Sequence, residues 1–236
     1  MNLILLFKED FTEGTQRVCL RGRRLEHVMR IHRAVAGDKL SVGLVNDRTG
    51  TGTVTGIDDT QLEMDIVFHQ PPPQKLPLNL ILALPRPKVL NRIILGAVSM
   101  GIKNIWLINA CRVEKSYWQS PRLSEENLIH QSVLGLEQSK DTVLPSIILK
   151  PLFKPFAEDE LVTIIKGTTP IAAHPNAVNE CPKGVTGPVT LAIGPEGGFI
   201  PFEIEKLKEC GFAPVHFGER ILRIESVIPA LLGRLF

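Results

Sequence analysis

The rhythm of apolar and polar positions changes once along the chain. Up to about residue 70 it is short and alternating. Residues 39–45, 51–57 and 61–68 each read as a strand, separated by turn signals at Asn46-Asp47 and Asp58-Asp59. One helical piece, residues 22–31, interrupts them. Short strands at this spacing predict a small, mostly β barrel. Gln70-Pro71-Pro72-Pro73-Gln74-Lys75-Leu76-Pro77 then excludes regular structure, because a proline run cannot enter a sheet and holds an extended, semi-rigid path. Beyond it the pattern becomes long apolar runs alternating with helical periodicity. Residues 78–84, 104–110, 169–173, 189–193 and 214–217 read as strands. Residues 89–100, closed by Gly101, and 123–139 read as helices. A third helix starts at Pro201, and an apolar last one carries Val227 to Leu232. Strands buried on both faces and alternating with helices predict a mostly parallel α/β sheet. The expected organisation is therefore a β domain at 1–70, a linker at 71–77 and an α/β domain at 78–236. Pro229, inside the last helix, is expected to bend or break it.

Composition narrows the function classes. The chain has 236 residues, 44% of them hydrophobic, and a formal net charge of +2. That is enough to bury a real core and too little charge for the whole molecule to attract nucleic acid, so any nucleic-acid surface must come from local clustering. Such a cluster exists. Residues 17–33 hold six arginines against one acid, Glu26. Arginine binds phosphate bidentately, although a solvated charged face has the same composition. The four cysteines, Cys19, Cys111, Cys181 and Cys210, contain no C-x-x-C pair. This argues against a zinc site or a disulfide framework and for free thiols in a reducing cytosol. The apolar run at 1–7 is too short for a signal peptide or a membrane span. Gly50, Gly52 and Gly56 lack the spacing and the following helix of a dinucleotide fingerprint.

Candidate chemistry concentrates late in the chain. Leu191-Ala192-Ile193-Gly194-Pro195-Glu196-Gly197-Gly198-Phe199 is an apolar strand that breaks into a glycine-rich loop before Pro201 opens a helix. Glycines there let a backbone approach a ligand, and loops at carboxyl strand ends are where open α/β sheets bind ligands. By itself this is equally a plain strand-to-helix turn. About twenty residues on, Val215-His216-Phe217-Gly218-Glu219-Arg220-Ile221-Leu222-Arg223-Ile224-Glu225-Ser226 repeats the strand, glycine turn and charged helix entry. A nucleotide enzyme would need a phosphate-binding lysine in the first loop, which it lacks.

GPEGGF followed by FGERILRIES resembles the RsmE family of SPOUT-class methyltransferases, and the similarity extends over the whole chain. It implies S-adenosyl-L-methionine as cofactor and methylation of N3 of a uridine in small-subunit (16S) ribosomal RNA, free or in the assembled subunit. It also implies a trefoil-knotted α/β domain, a PUA-like RNA-binding barrel, a cytoplasmic homodimer, and neither metal nor membrane. The cofactor would lie among Ala172, His174, Ile193, Gly194, Glu196, Gly198, Phe217, Gly218, Ile221, Leu222 and Arg223. Arg223, Glu196 and Glu225 would carry the chemistry. Arg21, Arg23, Arg24, Arg30, Arg33 and Arg86 would contact RNA. Some segments depart from the family. Pro85-Arg86-Pro87-Lys88 lacks the usual acid, Ala97 and Met100 replace Lys and Glu, and Arg223-Ile224-Glu225-Ser226 replaces R-T-E-T. These departures motivate an alternative, a catalytically degenerate RNA-binding homologue acting in ribosome assembly.

Overall fold

A computed structural model describes residues 2–236; Met1, at the head of the first apolar run, lies outside them. The chain divides into two compact units, Met1–Gln74 with Ser132–Leu144, and Lys75–Gln131 with Pro145–Phe236. The segment at 132–144 is therefore not part of one unbroken second domain. Its ties explain why. The amides of Asn2 and Leu3 donate to the Glu137 carbonyl at 2.9 and 3.0 Å, and that of Asn46 to the Thr142 carbonyl at 2.8 Å. Helical periodicity at 123–139 gives the fold of that segment but not the body it packs on.

The first unit contains β1 (Ile4–Leu6), β2 (Arg17–Leu20), α1 (Arg23–His27), β3 (Lys39–Leu44), β4 (Thr49–Ile57) and β5 (Leu62–Gln70). A π-helical turn, Val28–His32, extends α1. The strands form a five-stranded sheet in the order β1-β3-β4-β5-β2, antiparallel except for β1 beside β3. It fits a PUA-like half-barrel. Alternation sends Leu40 and Val42 of β3 inward to meet Leu25 and Val28 of the helical segment. β1 escapes the sequence pattern because its three residues are all buried and show no alternation. β2 lies hidden inside the arginine-rich stretch.

The second unit contains β6 (Leu78–Ala83), α2 (Pro87–Ser99), β7 (Asn104–Ile108), α3 (Glu125–Ser139, whose later residues belong to the first unit) and β8 (Ser146–Lys150). It continues through the short α4 (Phe153–Pro155) and α5 (Leu161–Ile164) to β9 (Thr169–Ala173), β10 (Asn179–Glu180) and β11 (Val189–Ile193). α6 (Pro201–Glu209), β12 (Ala213–His216) and α7 (Ile224–Leu235) complete it. Seven strands lie in the order β10-β12-β9-β11-β6-β7-β8, and every pair is parallel. All five residues of β11 are buried, as a strand covered on both faces requires.

α7 corrects the expectation at Pro229. The helix runs through it from Ile224 to Leu235. Pro229 comes early in the helix, so its missing amide removes one bond to the first turn. The face formed by Ile224, Ile228, Leu231 and Leu235 is buried and holds the rest. The departures in α2 are also absorbed. Pro87 occupies its first turn, where no amide is needed, and Ala97 is buried.

One ion pair anchors the first unit. The Arg24 guanidinium donates two bonds of 2.6 Å to Asp10 and one of 2.9 Å to the Leu5 carbonyl, and lies 5.7 Å over the Phe7 ring. The Asp10 side chain is 8% exposed and also accepts the Phe7 amide at 2.7 Å. Asp10→Ala would strand a largely buried guanidinium, and we expect it to lower the stability of this unit by about 2–4 kcal/mol in urea denaturation. A loss below about 0.5 kcal/mol would place this pair with ordinary surface ion pairs and contradict that role.

Candidate active site

The parallel register places the two glycine turns near each other. Ala173, at the carboxyl end of β9, pairs with Ile193 of β11 on one side and Val215 of β12 on the other. Strands are about 4.8 Å apart, so the loops after β11 and β12 leave the sheet within about 10 Å of each other, with the β9 loop between them. After β9 the chain forms the short edge strand β10, then β11 on one side of β9 and later β12 on the other, between β9 and β10. That reversal is the topological switch at which α/β sheets bind ligands. The ends of β6 and β7 continue the same edge.

The first turn is held from outside. The Glu196 carboxylate accepts the Arg86 amide at 3.0 Å, which ties the loop after β6 to the loop after β11. Arg112, after β7, donates to the Gly197 carbonyl. Glu203, one turn into α6 and 2% exposed, accepts the Ile200 amide at 2.9 Å and the Cys111 amide at 2.6 Å. One buried carboxylate thus caps α6 and holds the β7 loop. Sequence reading assigns Glu203 to the helix N-terminus but misses the tie to Cys111, and misses Arg112 altogether. The capping signal, a Glu three residues after the N-cap with Pro at the first turn, was present; the partner across the fold was not legible.

Glycine is required here for two different reasons. A Cβ on Gly194 would sit 2.9 Å from the Phe199 amide nitrogen, so the loop closes on its own backbone. Gly198 and Gly218 have φ of +73° and +89°, angles that suit glycine, and nothing lies within 4 Å of where their Cβ would be. The Gly218 amide donates to His216 Nδ1 at 3.1 Å, which shapes the second turn.

The other predicted residues fall into three groups. Ile193 and Ala172 are buried within their strands, with Ala172 one residue short of the carboxyl end of β9. Ile221 is 81% exposed, an apolar side chain open to solvent, and Leu222 beside it is half-buried. Phe217 is half-buried under the Arg234 guanidinium, 5.7 Å from its ring. Arg234 in turn binds the Cys181 carbonyl at 2.6 Å and Glu180 at 2.8 Å. Arg223 is exposed at the N-cap of α7, where it makes no ion pair among the described residues. Glu225, in the first turn of α7, lies 3.7 Å from Arg92 of α2.

His174 follows β9. Its amide donates to the Val215 carbonyl at 2.9 Å, but its Nδ1 is buried with no partner. Burial, with a smaller contribution from nearby Lys208, pushes its imidazole below the ordinary histidine value of 6.5. The ring is therefore neutral at pH 7 and can offer that nitrogen to a ligand.

The arginines of the first unit divide. Arg24 is committed to Asp10, and Arg23 makes bonds of 2.7 and 3.0 Å to the buried carboxylate of Glu137. Arg21 is exposed and donates to Gln61 at 3.2 Å. Arg30 and Arg33 are exposed without an ion pair among the described residues, and Arg33 closes the helical segment in the left-handed region at φ 51°. Arg86 is an exposed residue of the second unit.

Glu203→Ala would remove the buried acceptor of the Ile200 and Cys111 amides, and we expect a cost of about 2–4 kcal/mol. Hydrogen exchange at both Cys111 and Ile200 should accelerate. Unchanged exchange at Cys111 would show that the carboxylate caps only its own helix.

Residues 72–235 match the family described as RNA methyltransferase domain. Ribosomal RNA small subunit methyltransferase E of Treponema pallidum is 28% identical, over 96% of this chain and 87% of its own length. Methyltransferase E 1 of Borreliella burgdorferi is 25% identical over 96% and 93%. Among solved structures, ribosomal RNA small subunit methyltransferase E from Neisseria gonorrhoeae, bound to S-adenosyl methionine, superposes with a TM-score of 0.75 at 18% identity, covering 98% of this chain and 95% of that one. A probable rRNA methyltransferase from Porphyromonas gingivalis gives 0.71 at 22% identity, with 97% and 94% covered. The two structures share this fold. The family match spans nearly all of the second unit, including every loop of the site above, and so the chain belongs to the RNA methyltransferase domain family.

Proposed function

We propose that this protein is an S-adenosyl-L-methionine-dependent methyltransferase that methylates N3 of a uridine in small-subunit ribosomal RNA. The observation that carries the proposal is the meeting of three loop ends at one edge of the sheet, with positive-φ glycines at Gly198 and Gly218 that have no atom within 4 Å of their Cβ positions, and the unpaired buried Nδ1 of His174. These features suit S-adenosylmethionine, a ligand held by backbone groups, apolar side chains and a few placed polar atoms. His174, Gly194, Gly198, Gly218, Ile221 and Leu222 would hold it, with Ala172, Ile193 and Phe217 supporting them from the strands. The names of the Treponema and Borreliella relatives and the cofactor in the Neisseria structure support the same reading.

When bound, the cofactor supplies an electrophilic methyl group. The chain must present a uridine nitrogen to it and handle one proton. Positioning comes first, because the nitrogen has to be aligned with the methyl group. Arg223, exposed and without an ion pair among the described residues, would stabilise the negative charge that develops on the uracil ring. Glu225 is two residues away and only loosely paired, and would accept the N3 proton. Glu196 already binds the Arg86 amide, so its role is to hold the loop.

Arg21, Arg30, Arg33 and Arg86 would meet RNA phosphates, with Arg23 and Arg24 fixing the helical segment that presents the first three. The end of α7 bonds to the loop at 181–187, through Gly184 to the Arg234 carbonyl at 3.0 Å and Val185 to that of Leu235 at 2.7 Å. This supports a trefoil knot in which the last segment threads an earlier loop. The exposed Ile221 and Phe236 and the apolar α7 support a homodimer, and the free thiols a cytoplasmic setting.

The test combines calorimetry with nucleoside mass spectrometry of small-subunit rRNA after incubation with the cofactor. The wild-type protein should bind cofactor and produce N3-methyluridine. Gly198→Val should abolish cofactor binding. Arg223→Ala should keep binding within a few-fold and lower kcat by about 100-fold or more. Cofactor binding without any methylated nucleoside would support the degenerate alternative and overturn the enzymatic reading.

A further inference from the structure

The first unit has a second feature that the arginine segment does not explain. A groove of about 570 Å³ opens on its sheet, between the Lys39 end of β3, the Thr49 end of β4 and the exit of β5. The buried Leu3 and Leu40 belong to its lining, and its polar residues come from the sheet face away from the core. Leu40 and Val42 point inward to the helical segment, so Lys39 and Ser41 point the other way. Lys39 and Lys140 flank the groove, and neither makes an ion pair among the described residues. No Asp or Glu lines it. Ser41, Thr49 and Thr51 bring hydroxyls that make no hydrogen bond to other side chains or to the backbone among the described residues. Pro71 and Pro73 form an apolar wall.

A β-bulge builds one side. Thr49 pairs with Gln70 and Gly50 with Phe68, so His69 is left over in the register; it lines the groove, with its ring Nδ1 3.2 Å from the Val67 carbonyl oxygen. Only glycine permits this: a Cβ on Gly50 would lie 2.1 Å from the Val67 carbonyl oxygen and 2.8 Å from the Phe68 Cα. The bulge lies at the end of the ladder, where one further pair, Thr49 with Gln70, closes it.

We infer that this groove binds a single-stranded segment of the RNA substrate, with Lys39 and Lys140 on successive phosphates and His69 against a base. Cations without an ion pair among the described residues, at a groove lined by no acid, select a polyanion. The hydroxyls can bond phosphate or ribose oxygens, and an imidazole beside proline rings offers a flat face for an unstacked base. The groove is thus a second RNA surface, separate from the arginine segment on the inner side of the sheet. The inference rests on the proposed function in taking RNA as the substrate.

The experiment uses the whole protein and the double variant Lys39→Gln/Lys140→Gln. Anisotropy with fluorescein-labelled oligouridylate measures affinity and its salt dependence, and methylation of small-subunit rRNA is followed in parallel. We expect affinity to fall about ten- to a hundred-fold at ~0.1 M salt, and the log–log salt slope to flatten by about one to two. KM for rRNA should rise with kcat unchanged. Photo-cross-linking of 4-thiouridine RNA to the wild type should label the peptide containing His69. The groove is refuted if the wild type binds and methylates RNA while the variant matches it in affinity, slope and KM. If the wild type itself neither binds nor methylates RNA, the failure lies in the functional reading, and the groove falls with it.

Discussion

The backbone pairing of β9 with β11 on one side and β12 on the other is the constraint on which the site depends. These three strands are parallel and adjacent, so their carboxyl ends must emerge side by side. Residues more than forty positions apart, His174 and Gly218, thereby leave the sheet from adjacent strands. No side-chain contact could impose that proximity as firmly. Parallel ladders are buried on both faces and resist slippage, because a one-residue shift would turn apolar side chains out of the core.

Around this frame the molecule uses carboxylates as struts. Glu196, Glu203, Asp10 and Glu137 each accept bonds from backbone amides or an arginine. In the second unit two such struts join the loops after β6, β7 and β11 into one set. The glycine turns can then be shaped for a ligand rather than for their own support. His174 Nδ1 and the space beside Gly198 and Gly218 are the parts left unsatisfied. Elements that are fully satisfied hold the fold, while the unsatisfied ones are where we propose the ligand binds.

Much of this was legible in the sequence. The change from alternating to continuous apolar runs separates sheet types, and the proline run at 70–77 lies at the change. Strands β6, β7, β9 and β11 are apolar enough to read directly. The glycine pattern around Gly194 and Gly218 identifies the loops because backbone geometry is written in residue type. What was not legible is what depends on distant partners. β8, with its exposed Ser146 and Leu149, lacks the continuous burial of the central strands. The return of 132–144 to the first unit follows from bonds to Asn2, Leu3 and Asn46. Of six arginines read as one basic patch, Arg17, Arg23 and Arg24 turn out to be paired, since composition does not reveal Asp65, Glu137 and Asp10. Pro229 is tolerated because helix packing outweighs one missing bond.

We propose that the loops after β9, β11 and β12 close on one ligand, which the amide NMR spectrum of the protein titrated with S-adenosylmethionine tests most directly. The resonances of His174, Gly198 and Gly218 should shift together along a single saturating curve. Shifts confined to one of these loops, or lying elsewhere on the protein, would contradict it.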